Sequence, residues 1–221
     1  MEERLRRLVE AGTCVIADIY DKMGLVPLVL DNHLVPFSGS REEGIAGPAY
    51  TVNGTYQSWA KGADRDKLAA IDQMTPGVVA LWAGNNVSGV CLFGDLLAAA
   101  MQARGCRGVI VDGGIRDIVE LRKLELPIYA RYCSPAQSIR RWHVNGFQVP
   151  VEVGGALAER ITVHPGDIVV ADQDGVVIVP QGRLDDFVDE VSRLASTESK
   201  ARQDIARGKP LLETLDKFGL P

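Results

Sequence analysis

The sequence is poor in features that would assign it to several large classes of protein. Its four cysteines are scattered and form no Cys-x-x-Cys pair, which argues against a zinc or redox motif and favours a reducing, cytoplasmic location. Its formal net charge of −5 argues against a nucleic-acid-binding surface. No apolar run reaches about 18 residues, and the charged stretch after Met1 lacks the apolar core of a signal peptide. We therefore expect a globular protein with neither nucleic-acid nor membrane partners.

Aromatic residues are also few, at 6% of the chain, whereas glycine occurs 23 times, so backbone turns are expected to position much of the structure. A length of 221 residues is enough for one large domain and short for two. We predict a single domain over residues 1–221, with N-terminal helices within residues 1–24 and a charged helical tail over residues 181–221 that is expected to contact a neighbouring subunit.

Short apolar runs alternate with helical patterns in the middle of the chain. Residues 78–82, 108–112 and 127–131 have strand length, and the first two are apolar enough for strands buried on both faces. Helices are predicted between them, over residues 95–104 and 117–124. This alternation predicts a parallel sheet with right-handed crossovers. The first helix has so few polar positions that we expect it to be buried nearly all round, for instance by subunit contact.

Local signals predict the elements on either side of this core. A strand over residues 45–52 contains Pro48, which favours an edge position or a bulge. A helix is expected over residues 63–73, and two helices over residues 2–23 meet where Thr13 caps the second one. After residue 146 the pattern changes to short strands separated by turns, at residues 149–153, 161–163, 168–171 and 176–179.

Two acids and an arginine stand where this core would present a binding edge. Asp95 begins one helix, and Arg116 with Asp117 follows the next strand after an interval of twenty residues. In a right-handed βαβ unit both positions lie at the carboxyl ends of parallel strands, where α/β sheets bind ligands. The free N–H groups of Leu96 and Leu97 can hold a carboxylate there. Arg116 offers a planar fork for carboxylate or enolate oxygens, and the aspartates offer hard oxygen ligands for Mg²⁺ or Mn²⁺.

The same residues also have ordinary structural explanations. Asp95 and Asp117 are equally typical of residues that only cap a helix, and Arg116 of an exposed arginine at a helix start. Spacing by itself therefore supports an α/β protein with an anion site. Asn85 and Asn86 lie on the same predicted edge and are further candidate substrate contacts.

A resemblance to a known family favours chemistry over capping. Residues 94–117 contain Gly-Asp at the helix start and Val-Asp-Gly-Gly-Ile-Arg-Asp after the strand, and they resemble the signature of the RraA-like family. Residues 17–21, 47–52 and 165–180 resemble further motifs of that family in the same order. The family includes class II 4-hydroxy-4-methyl-2-oxoglutarate aldolases, and the resemblance covers roughly residues 10–210.

This resemblance implies a layered β/β/α fold of the swivelling type, with a parallel βαβ core and flanking helices in one domain. It implies a divalent-metal-dependent lyase that cleaves or decarboxylates small 2-oxo acids, such as 4-hydroxy-4-methyl-2-oxoglutarate or oxaloacetate, through a metal-stabilised pyruvate enolate. Homotrimers or hexamers with active sites between subunits are implied as well. The alternative is a regulator that inhibits a ribonuclease by protein contact, and a third possibility is a structural protein with a vestigial site.

The family pattern further implies a role for each site residue. Asp117 would bind Mg²⁺ or Mn²⁺ directly, and Asp95 would orient metal-bound water. Arg116 would stabilise the enolate, and Glu198 from the C-terminal region of a neighbouring subunit is the candidate for the acid that completes the site. The pyruvyl group would be held by four residues, Gly94, Leu96, Leu97 and Arg116.

Overall fold

A mixed sheet of nine strands forms the centre of the computed structural model, which describes residues 1–39, 44–56 and 64–219. The helices in this part of the chain are α1 (Glu2–Lys22), α2 (Arg65–Asp72), α3 (Asp95–Ala103), α4 (Ile118–Leu121), α5 (Leu184–Ala206) and α6 (Leu211–Phe218). The strands are β1 (Val35–Ser38), β2 (Ile45–Tyr56), β3 (Val79–Ala83), β4 (Cys91–Phe93), β5 (Gly108–Ile115), β6 (Ile128–Cys133), β7 (Trp142–Phe147), β8 (Val151–Gly154), β9 (Arg160–Val163), β10 (Ile168–Ala171) and β11 (Val176–Val179).

Strands β2, β3, β5 and β6 lie side by side and run parallel. Every residue of β3 and β5 is buried, as their apolar sequences predicted for strands covered on both faces. Helix α3 precedes β5, and α4 leads from β5 to β6. The predicted α/β fold, one mixed sheet with a parallel core and flanking helices, is confirmed. Three strands have no sequence prediction of their own: β1, which pairs with β6, β4, which pairs with β5, and β7, which pairs with the end of β2.

Three groups of buried side chains surround this sheet and give the fold its layers. One group includes Trp82 and Trp142 and lies between the sheet and helices α2 and α3. A second group joins β3 to the hairpin of β8 and β9. The third packs β10 and β11 against α1 and α5. The carboxyl ends of β4 and β5, where α3 and α4 begin, are left at one edge of these layers.

The two helices predicted over residues 2–23 are present as α1, which is interrupted at Gly12, where φ is 82°. The predicted cap by the Thr13 side chain is wrong. Instead, the backbone N–H and the hydroxyl of Thr13 each donate to a carboxylate oxygen of Asp172 at 2.7 Å. The cap therefore comes from a turn far away in the sequence, which no local pattern identifies.

Strand β2 is central, so the expectation that Pro48 marks an edge strand is wrong. Pro48 is the last residue of β2 that pairs with β10, and Ala49 is the first that pairs with β3. The missing N–H of proline therefore falls where one ladder ends and the next begins, which is how a central strand accommodates it.

Helix α3 is covered on one side rather than buried nearly all round. Ala98 and Met101 face the core, whereas Leu96 is 79% exposed, because one copy of the chain covers only the side of the helix that faces the sheet. Helix α4 spans four residues, Ile118–Leu121, instead of residues 117–124, because the chain turns at residues 122–125 to enter β6.

The predicted helical tail is present as α5, which packs on α1, and α6, which packs on α5. Contact of this tail with a neighbouring subunit and the domain limits of 1–221 stay predictions. The predicted start of α2 at residue 63 lies outside the described residues. Among the helices that are described, none has the length and apolar character needed to cross a membrane.

Candidate active site

The structure brings six of the seven predicted site residues to one cavity of about 240 Å³ at the carboxyl ends of β4 and β5. Those six residues are Gly94, Asp95, Leu96, Leu97, Arg116 and Asp117. Glu198, the seventh, lies within α5, and its side chain is outside the described part of the structure. Asn85 and Asn86 do not line this cavity. The Nδ2 of Asn85 instead donates to Asn53 Oδ1 at 3.0 Å.

The position of the Asp117 carboxylate depends on the backbone conformation of Asp117 and on a neighbouring glycine, Gly94. The φ of 62° at Asp117 places this residue in the left-handed region, which aspartate tolerates better than most residues. This conformation brings its carboxylate against Gly94, where a Cβ atom would lie 2.1 Å from Asp117 Oδ2. The same oxygen accepts from Arg116 Nε at 3.2 Å and from Asp95 N at 3.4 Å. Glycine at position 94 is therefore required for the carboxylate to occupy this place.

The start of α3 is partly available to an anion. The Leu96 N–H donates to Asp95 Oδ1 at 2.8 Å, so this predicted substrate-binding amide is occupied by its neighbour's side chain. Within the described chain, nothing accepts a hydrogen bond from the Leu97 N–H. Asp95 thus satisfies one N–H at the start of the helix, as a capping residue would, while the Leu97 N–H has no acceptor among the described residues.

Lys67 is a cavity residue that the sequence interpretation missed. Its side chain is 9% exposed, and its Nζ donates to Leu92 O and to Ser138 Oγ, each at 2.9 Å. Burial lowers the pKa of Lys67 to about 8, although the nearby carboxylate of Asp64 opposes the shift. A signal was present in the sequence, because Lys67 shares the buried face of α2 with Ala70 and Ile71 at the spacing of an apolar helix stripe.

The carboxylates in the cavity fit a hard divalent cation. In the described ranges there is no group of three or more acidic, histidine or cysteine side chains that could hold a metal by itself. Asp95 and Asp117 provide two carboxylates at the cavity. Mg²⁺ and Mn²⁺ are often bound through one or two carboxylates, with water in the other coordination positions. Asp117 Oδ1 accepts no hydrogen bond from the described residues, so one oxygen remains available to such an ion.

Comparison with known proteins adds to this geometry. A family model described as Aldolase/RraA matches residues 13–178. The chain belongs to the RraA-like family. The match includes the parallel strands and every cavity residue described above, so the family resemblance read from the sequence is confirmed.

Individual relatives carry names of two kinds. Protein DlpA of Legionella pneumophila is 25% identical over 218 residues, which is 99% of this chain and 34% of DlpA, so the chain spans about a third of that protein. A Halalkalibacterium halodurans protein, provisionally named 4-hydroxy-4-methyl-2-oxoglutarate aldolase, is 29% identical over 77% of this chain and 73% of its own length. The crystal structure of Streptomyces coelicolor RraAS2, an unusual member of the RNase ES inhibitor RraA family, superposes with a TM-score of 0.77 and 27% identity, over 90% of this chain and 96% of RraAS2.

The family is established by the family model, and the fold is supported by the relatives. Their names refer to an aldolase in one case and to ribonuclease inhibition in another, so the activity of this chain is argued from its own cavity.

Proposed function

We propose that this protein is a divalent-metal-dependent carbon–carbon lyase that releases pyruvate from small 2-oxo acids, such as 4-hydroxy-4-methyl-2-oxoglutarate or oxaloacetate. The observation that supports it most is the placement of the Asp117 carboxylate against Gly94, beside Arg116 and the start of α3, in one cavity. The provisional name of the Halalkalibacterium halodurans relative supports the same class of reaction.

In this proposal Asp117 holds the metal and Asp95 holds a water molecule beside it. Both carboxylates lie at the cavity, and neither has its oxygens fully occupied by donors from the described residues. When bound, Mg²⁺ or Mn²⁺ supplies Lewis acidity toward the 2-oxo group of the substrate.

Arg116 supplies fixed positive charge where negative charge develops during the reaction. Its side chain is 40% exposed, and its Nε contacts Asp117, so the rest of the guanidinium is available to a substrate. Breaking the bond between C3 and C4 of a 2-oxo acid leaves the electron pair on the enolate of pyruvate, and a nearby guanidinium stabilises that oxygen. The Leu97 N–H can hold the pyruvyl carboxylate, and the Leu96 N–H can join it if Asp95 rotates away.

The two candidate substrates make different demands on proton transfer. Oxaloacetate loses carbon dioxide and needs no base before the bond breaks. The aldol substrate must lose the proton of its hydroxyl group as the bond breaks, so a base is required. The same cavity serves both reactions because both produce the same enolate.

We also propose that the active form is a homotrimer or hexamer in which a neighbouring subunit completes the site. The exposed side of α3, with Leu96 at 79% exposure, lies beside the cavity. An apolar helix face next to a site is a typical subunit contact. Glu198 of a neighbouring α5 is the proposed acid at that contact.

A second candidate function is inhibition of a ribonuclease by protein contact, which the relationship to RraAS2 supports. Capture of a ribonuclease in a pull-down, together with no turnover of either 2-oxo acid, would favour this alternative. Inhibition by protein contact requires no turnover of a 2-oxo acid, so the assay below separates the two functions.

Pyruvate release from both substrates tests the proposed function. The full chain is assayed with Mg²⁺, with Mn²⁺ and with EDTA by coupling pyruvate to lactate dehydrogenase, and metal without protein corrects for spontaneous oxaloacetate decarboxylation. We expect turnover of at least one substrate with metal and its loss in EDTA. No turnover of either substrate, or turnover that EDTA leaves unchanged, would overturn the proposal.

A further inference from the structure

The buried lysine of the cavity has no place in the chemistry described so far. Lys67 extends from the first turn of α2, and its Nζ binds Leu92 O and Ser138 Oγ. The carboxylate of Asp64 lies 3.9 Å from Nζ, beyond hydrogen-bond distance. A buried ammonium without a directly bonded carboxylate is costly, so its presence in a cavity calls for a functional explanation.

Asp64 is committed to other donors and does not neutralise Lys67 by direct contact. Its carboxylate accepts from the Lys67 N–H at 3.1 Å, which caps α2, and from Val144 N at 3.0 Å. The ring of Trp142, with its centroid 5.1 Å from Nζ, gives partial stabilisation. An ammonium has three N–H donors, and two acceptors are found among the described residues, so one donor remains for a ligand.

The cavity therefore has two cations in different settings. Arg116 lies beside Asp117, at the end where we place the reaction. Lys67 lies beside Ser138, which is itself buried. The remaining walls are largely apolar, through Leu68, Leu96 and Ile139. Such a cavity suits a short molecule with an anionic group at each end.

We propose that Lys67 determines specificity by binding the second carboxylate of a dicarboxylic 2-oxo acid, while Arg116 holds the end that reacts. The Ser138 hydroxyl accepts from Lys67, which leaves its own proton to donate to the same carboxylate. This inference rests on the proposed function and adds the residue that selects dicarboxylic over monocarboxylic 2-oxo acids, because a 2-oxo acid with one carboxylate leaves the third N–H donor of Lys67 unpaired.

Substitution of Lys67 tests this by comparing two substrates. Lys67→Met removes the charge with similar volume, Lys67→Arg keeps the charge, and Lys22→Met on α1, away from the cavity, is the control for loss of a cation. We expect Lys67→Met to lower kcat/KM for oxaloacetate at least about tenfold, through a higher KM. For 4-hydroxy-2-oxopentanoate, which has one carboxylate, kcat/KM should change less than about threefold. Lys67→Arg should recover most of the loss, and Lys22→Met should match the wild type.

A binding measurement separates failure of this inference from failure of the proposed function. Calorimetry with 2-oxoglutarate and with pyruvate, in the presence of Mg²⁺, requires no turnover. We expect Lys67→Met to weaken the binding of 2-oxoglutarate about tenfold and the binding of pyruvate less than about threefold. Ser138→Ala should weaken the binding of 2-oxoglutarate by a smaller factor. If the wild type releases no pyruvate, the proposed function fails whatever Lys67 binds.

A purely structural lysine predicts a different result. Lys67 joins α2 to β4 and to the segment before β7. With a purely structural role, its loss would lower thermal stability, and it would reduce kcat/KM for both substrates and the affinity for both ligands by the same factor. Equal losses in Lys67→Met, or an unchanged affinity for 2-oxoglutarate in a folded variant, would overturn the assignment. Should Lys67→Met not fold, the Ser138→Ala measurement decides, because an unchanged 2-oxoglutarate affinity there would overturn it as well.

Discussion

Asp112 and Asp117 belong to the same strand and the turn that follows it, yet the structure treats them in opposite ways. Asp112 is 6% exposed and is bonded by Arg131 Nε, and the same arginine donates to Asp31 Oδ2 at 2.8 Å. Asp117 is 35% exposed and has only Arg116 Nε and the Asp95 N–H as donors, at 3.2 and 3.4 Å.

Under the proposed function, one strand and the turn after it supply both a structural carboxylate, Asp112, and a functional one, Asp117. Asp112 lies within β5, where the pairing with β6 is irregular between Val111 and Gly114, and its carboxylate meets Arg131 of β6. Asp117 has left the strand, and its left-handed backbone directs it to the cavity. A buried carboxylate held in an ion pair stabilises the fold, whereas a more exposed one with long contacts keeps an oxygen for a ligand.

The largest effect is expected from Asp117→Asn. Asparagine tolerates the left-handed backbone, so the change removes the negative charge without straining the turn. We expect kcat/KM for pyruvate release to fall about 10³-fold, since the proposed metal ligand is lost, while Tm changes by less than about 2 °C. The coupled assay and thermal unfolding by circular dichroism measure the two quantities. Activity within threefold of wild type would remove Asp117 from the site.

Asp112→Asn is the matched control and should give the reverse pattern. Arg131 keeps Asp31 as a partner, so we expect a loss of about 2 kcal/mol of stability, which lowers Tm by about 4–8 °C for a chain of this size. The folded variant should keep kcat/KM within about threefold. A variant that keeps its Tm but loses its activity would contradict the structural role given to Asp112.

Gly94→Ala should lower activity indirectly, by displacing the Asp117 carboxylate. The new methyl group would lie 2.1 Å from Asp117 Oδ2 and 3.1 Å from Arg116 Cγ, so both side chains must move. Displacement of reacting groups by about 1 Å costs roughly 10²-fold in kcat/KM. Gly182→Ala is the control, since its methyl group meets nothing within 4 Å. Wild-type activity in Gly94→Ala would show that the close approach of Asp117 is unimportant.

The smallest effect is expected at acid pH, in the ion-pair cluster that Arg131 forms with Asp31 and Asp112. Burial raises the pKa of Asp31, but hydrogen bonds from the backbone and ring of His33 and from Arg131 outweigh it and lower the pKa to about 2. The ordinary value is 3.8, so this contribution to stability is complete above about pH 4 and is lost as the pH falls toward 2.

Urea unfolding at pH 5, 4 and 3 measures this contribution. We expect wild type to lose about 1 kcal/mol more than Asp31→Asn between pH 5 and pH 3. Parallel losses in the two proteins would indicate that Asp31 titrates normally and that the cluster is weaker than its geometry suggests.

Local patterns predicted most of the elements because each depends on residues close together in the chain. The apolar runs of β3 and β5 are buried on both faces, and Gly105 ends α3 with a φ of 76°, as a residue after a helix is expected to. Two of the wrong predictions, the Thr13 cap and the edge position of β2, came from long-range contacts. Asp172 rather than Thr13 provides the cap in α1, and β10 together with β3 makes β2 a central strand despite Pro48.

The sequence by itself determined the parallel core and the edge at which Asp95, Arg116 and Asp117 meet, because strand and helix lengths leave few ways to connect a βαβ unit. Only the tertiary structure decided which side chains share the cavity with them. Lys67 and Ser138 come from α2 and from the segment before β7, and the chain path over the sheet places them beside β4. The position of the Asp117 carboxylate against Gly94 was also decided by the tertiary structure. It depends on a contact between a residue with left-handed backbone after one strand and a residue without a Cβ atom after another.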